Sequence, residues 1–140
     1  MSPIICHASS YYFIVGKLLL CGSFLIPGIL KIPDPAGFAL QVSGYQLLPW
    51  PFVFVAAYYL PWLEVVAASG LWWRKIAPGA LAILVLLLLI FLAALLSAEF
   101  RGLDIQCGCY GGESGSTHWA ILRNLVLLAV ALALWTRQST

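Results

Sequence analysis

The chain has 140 residues, 63% hydrophobic and 9% charged, with a mean hydropathy of +1.00. Soluble domains carry roughly 25% charged residues, so the composition excludes an ordinary soluble domain and points to an integral membrane protein. The net charge of +2 is dispersed and offers no basic patch for nucleic acid; the length favours a single domain over residues 1–140.

The first ten residues, MSPIICHASS, lack the positive n-region of a secretory signal, and Cys21 is preceded by leucines where a lipoprotein cleavage site needs a small residue. The first apolar run is therefore read as a retained span. Crossing about 30 Å of hydrocarbon takes about 20 apolar residues. Four runs qualify: residues 11–30, 51–73, 77–97 and 119–135. The expected fold is all-α, a four-helix up-and-down membrane bundle joined by short connections.

After the first run comes KIPDPAGFALQVSGYQLLP. Asp34 followed by Pro35 is a helix-start pair, and Phe38, Val42 and Tyr45 recur at helical spacing. A short amphipathic helix at the membrane interface is expected, serving as a lid or an anchor. In the second run Glu64 lies about 20 Å from the outer end at about 1.5 Å per residue. An ionisable group at that depth is a functional candidate by default. Lys17 in the first run falls at similar depth and is the candidate partner, in a structural pair or a proton-handling one. Pro61 frees carbonyls near Glu64.

Lysine and arginine bias sets orientation. Arg74 and Lys75 lie between runs two and three, and Arg137 near the C-terminus. Lys31 is offset by Asp34, and Arg101 by Glu99, Asp104 and Glu113. Both termini are thus expected in the cytoplasm of a bacterial inner membrane, with the other two loops outside. Tryptophans mostly fall near span ends, as in an aromatic belt.

The third and fourth runs flank DIQCGCYGG, residues 104–112. On an oxidising face Cys107 and Cys109 are expected to form a disulfide at least part of the time. Two residues apart, they need a turned Gly108 to reach bridging distance. Such a small ring is strained and easily reduced, which suits exchange, whereas closing so short a loop removes little unfolded-state entropy. Permanent bridging, resting thiols and half of a zinc site are the alternatives; zinc lacks a fourth ligand, since the set ends at Cys107, Cys109 and His118. His118 and Arg123 open the fourth run, where Ser116 or Thr117 can cap the helix. A helix N-terminus and a guanidinium near the thiols favour the thiolate. Equally, Arg123 can serve as an interfacial anchor paired with Glu99 or Asp104. Cys21 reads as a small core residue and Cys6 as a thiol on a poorly ordered tail.

Taken in order, Lys31 with Asp34-Pro35, YQLLP (45–49), LPWLE (60–64), Arg101-Gly102, CGCYGG (107–112) and Trp119 with LRN (122–124) resemble the methylamine utilisation protein MauE family, within the DoxX-like four-helix membrane proteins. The resemblance runs from about Tyr11 to Trp135. Tyr110 stands where Phe or Gly is expected, and the stretch with Cys6 is additional. The resemblance implies periplasmic thiol-disulfide chemistry, in maturation of a disulfide-rich amine dehydrogenase subunit beside a thioredoxin-like partner. The expected function is disulfide exchange through Cys107 and Cys109, with Arg123 and His118 favouring the thiolate and Arg101 adding positive charge. By analogy with the vitamin K epoxide reductase family, membrane quinone is the expected electron acceptor, near Tyr45 and Trp119 with Glu64 deeper. The other readings are a noncatalytic anchor or scaffold in a larger membrane complex, and a transporter built on Glu64 and Lys17.

Overall fold

The structure is a computed structural model that describes residues 3–103 and 117–138, with side chains from Ser10 onward. Five helices occupy these residues: α1 (Pro3–Lys31), α2 (Pro35–Gly44), α3 (Trp50–Gly70), α4 (Ala77–Phe100) and α5 (Thr117–Gln138). Four are long and apolar enough to cross a membrane, α1 over Ser10–Lys31 and α3, α4 and α5 in full. The protein is an all-α, multi-pass membrane bundle.

Each long helix neighbours two others. α1 packs on α3, α3 on α4, α4 on α5, and α5 returns to α1, closing an up-and-down ring. Lipid tails supply no hydrophobic drive between helices, so close approach at small residues matters. A Cβ on Gly28 would lie 2.9 Å from Val65 Cγ2 and 3.3 Å from the Pro61 carbonyl oxygen, which marks the tight α1–α3 crossing. On the other side of α1, a Cβ on Gly16 would lie 3.3 Å from Leu134 Cδ2.

The core divides in two. The larger cluster, centred on Leu20, Leu71, Leu81, Leu84 and Leu88, fills the half nearer the α3–α4 turn, with Cys21 packed against it. A smaller cluster joins Phe38 and Ala39 of α2 to Val53 and Ala57 of α3. The expected short helix is therefore present, seated on α3. Its start is capped as anticipated: Asp34 Oδ1 accepts from Gly37 N at 2.9 Å, with Pro35 in the first turn. Trp50, Trp72, Trp73, Trp119 and Trp135 lie at or beyond helix ends, and Trp62 points outward from the middle of α3.

Two expectations need correction. α1 begins at Pro3, so the stretch with Cys6 is helical backbone rather than a tail; no proline or glycine interrupts it before Gly16. Lys17 does not meet Glu64. Its Nζ donates to the Leu71 carbonyl at 3.1 Å, just past the end of α3, and sits 4.6 Å from the Phe13 ring centroid. A lysine there satisfies an orphan carbonyl of the helix C-terminus, so its role in this fold is structural.

Candidate functional site: a cavity beneath α2

The last residue of α1 turns inward. Lys31 is 9% exposed, and its Nζ lies 3.8 Å from Glu64 Oε1. Glu64 is 2% exposed. The Lys31 ammonium also lies 4.3 Å from the Phe38 ring centroid and 5.8 Å from that of Phe91. Aromatic faces stabilise a desolvated cation, which makes this site tolerable for a buried amine. Lys31, read from sequence as a loop charge, is thus the actual partner of Glu64. The pairing arises because α1 stops short of the first turns of α3, which α2 covers. Gly28 lies against Pro61 and Glu64, while α2 covers the end of α1 by packing on Val53 and Ala57.

Beneath α2 the helices leave a cavity of about 500 Å³. Ser23, Pro27 and Lys31 of α1, Phe38, Gln41 and Val42 of α2, Leu60 and Glu64 of α3, Phe91 and Leu95 of α4, and Arg123, Asn124 and Leu127 of α5 face it. Tyr45 joins them from the end of α2. Pro27 of α1 lines this space, and Pro61 of α3 lies one turn from Glu64, which also faces it. Each proline removes an N–H from its helix ladder, so backbone regularity is relaxed where the bundle opens. Asn124 is 7% exposed, and its Oδ1 has no hydrogen-bond partner among the described residues.

Of the residues singled out from sequence, the structure gathers Glu64, Tyr45 and Arg123 around this cavity. Trp119 is 64% exposed and lies outside its lining. His118 Nε2 lies 3.5 Å from Glu99 Oε1, joining the start of α5 to the end of α4; both side chains are solvent-accessible, so the contact contributes little. Arg101 Nη1 donates to the Gln46 carbonyl at 3.3 Å and ties the end of α4 to the α2–α3 connection. Cys107 and Cys109 lie outside the described residues. No group of three or more potential metal ligands occurs among the described residues.

Sequence reasoning passed over Lys31 and Asn124 as cavity residues. Asn124 carried a usable signal, being a polar side chain one turn and more inside an apolar span. For Lys31 the signal was weaker, because a lysine at the end of an apolar run ordinarily reads as an anchor.

Fold and site define a multi-pass helical membrane protein with a largely apolar cavity between its spans, into which a few polar side chains face. The sequence profile of the family described as methylamine utilisation protein MauE matches residues 9–137, and the chain belongs to that family. A curated relative, methylamine utilization protein MauE of Paracoccus denitrificans, is 35% identical over 123 residues. That match covers 86% of this chain, and the chain spans 66% of the relative's length. No solved structure matches.

Proposed function

We propose that this protein is a thiol-disulfide redox protein of the bacterial inner membrane, acting on an extracytoplasmic client through Cys107 and Cys109. The observation that carries this reading is the Cys107-Gly108-Cys109 motif, which falls in the sequence between α4 and α5. With Lys31 buried in the cavity, the excess of lysine and arginine over acidic residues in the connections falls at the opposite end, on Arg74 and Lys75, and Arg137 lies near the C-terminus. The lysine and arginine bias supports both termini in the cytoplasm and the thiol loop outside, in an oxidising compartment.

In the proposed cycle a client thiolate attacks the Cys107–Cys109 disulfide. A mixed disulfide forms and one cysteine leaves as thiolate. A second client thiolate displaces the other cysteine, leaving the client oxidised and the pair reduced by two electrons and two protons. A membrane quinone would supply the acceptor for these two electrons and two protons. Arg101, at the end of α4 bordering the loop, supplies positive charge that favours the thiolate, and the N-terminus of α5, which His118 opens, adds its positive dipole end; Arg123 lies a turn and more further into α5. The relative's designation as a methylamine utilization protein supports methylamine utilisation as the context; a disulfide-containing amine dehydrogenase subunit is the proposed client and a thioredoxin-like protein the proposed exchange partner.

The test is labelling of Cys107 and Cys109 in intact cells with a membrane-impermeant maleimide, Cys6 and Cys21 being replaced by serine. Labelling only after mild reduction is expected. A pair reached only by a permeant reagent would reverse the topology and remove the oxidising compartment the cycle needs. If a Cys107→Ser/Cys109→Ser protein still supports client oxidation, the chain is a scaffold.

A further inference from the structure

We propose that the cavity beneath α2 is a binding site for an uncharged, lipid-soluble molecule whose small polar head both accepts and donates hydrogen bonds. This rests on the cavity alone and holds whether or not the thiol pair exchanges.

Two buried polar groups at the cavity lack hydrogen bonds of the kind they need. The Lys31 ammonium has three donors, yet its described contacts are a carboxylate oxygen at 3.8 Å and two ring faces. These are electrostatic contacts beyond hydrogen-bond length. Asn124 Oδ1 is an acceptor without a donor among the described residues. Burying a polar group unsatisfied is costly, so the two call for one occupant that presents an oxygen to Lys31 and an O–H or N–H to Asn124.

The remaining walls say what the rest of that occupant is. Phe24, Leu60, Phe91 and Leu95 make most of the lining apolar, which suits a hydrocarbon body better than a cluster of waters. Leu48 and Ile90, about half exposed, also line the cavity. The space therefore reaches the lipid-facing surface between the α2–α3 connection and α4, and a ligand can enter from the bilayer. About 500 Å³ lies within the range of small-molecule sites, roughly 300–1,000 Å³. Lys31 and Glu64 offset each other and Arg123 is engaged with a neighbour of its own, so a neutral head is favoured over a phosphate.

A short-tailed alkyl hydroquinone supplies the probe, since it carries both donor and acceptor oxygens on an apolar body; its dimethyl ether keeps the shape and loses the donors. Binding to the full chain in lipid nanodiscs is measured by native mass spectrometry and calorimetry. The hydroquinone is expected to bind at least about tenfold more tightly than the ether, the scale of one buried hydrogen bond. Asn124→Leu is expected to abolish that preference. Ala94→Phe, which replaces a small lining residue with a ring, is expected to abolish binding of both compounds. A Cys107→Ser/Cys109→Ser protein is expected to bind the hydroquinone as the unaltered chain does, which separates failure of this site from failure of thiol exchange. Equal affinity for the ether, retained preference in Asn124→Leu, retained binding in Ala94→Phe, or recovery of phosphatidylglycerol or water alone from the cavity would each overturn the assignment.

Discussion

The two halves of the bundle are built from equally oily helices and solve opposite problems. Toward the α3–α4 turn, Leu71, Leu81, Leu84 and Leu88 are almost wholly buried against Leu20 and Ala131. Beneath α2 the same helices part around Lys31, Glu64 and Asn124. Apolarity does not distinguish the halves. The difference lies in where prolines, aromatic rings and three polar side chains interrupt the leucines, which teaches that in a membrane bundle polar placement, more than hydropathy, decides where packing ends and a site begins.

That contrast can be broken at several points. The largest effect is expected outside both halves: Cys107→Ser/Cys109→Ser should eliminate client oxidation while leaving the protein in the membrane, read by trapping the client's thiol state. Next, Lys31→Met should destabilise the open half by about 3 kcal/mol, because removing one partner strands a buried carboxylate. The double change Lys31→Met/Glu64→Leu should recover most of that loss in a steric-trap or denaturant unfolding assay. Failure to recover would mean the pair is more than a register device. In the packed half, Leu84→Ala should cost about 2 kcal/mol, the low end for a buried leucine since lipid returns no transfer term. Similar losses at Leu84 and at the cavity-lining Leu95 would erase the distinction between the halves, because a residue beside existing space leaves less new void. Smallest, Asp34→Ala should cost α2 about 1 kcal/mol through its lost cap, seen as faster amide exchange confined to residues 35–44.

Much of the architecture was legible in one dimension. Asp34-Pro35 announced α2, and the four apolar runs fall within the observed helices apart from Leu71, Trp72 and Trp73, which the structure places in the turn after Gly70. The start of α1 was hidden because polar residues among the first ten look like a tail, although nothing there stops a helix. The partner of Glu64 was hidden for a different reason. Counting residues from each span end assumes that all helices start at one level, and α1 ends deep beside Glu64 while α3 continues outward under α2. Relative height is a property of packing, set by Gly28 meeting Pro61 and by α2 seated on Val53, and no single helix encodes it. The cavity was half legible, Glu64 and Tyr45 marking it and Lys31 concealed by its own position in the chain.

The Lys31–Glu64 pair also imposes an order on biogenesis. Lys31 is synthesised 33 residues before Glu64, so during translation the first span holds an ammonium whose counter-charge does not yet exist. A lone amine in hydrocarbon stretches toward the head groups, which would draw α1 toward the α2 end of the bundle. α1 is therefore expected to settle to its final depth only after α3 has entered the bilayer. Cysteine-accessibility mapping of α1 in arrested chains should show its outer end withdrawing as the nascent chain lengthens past Glu64; an unchanged pattern would mean that α1 finds its depth alone.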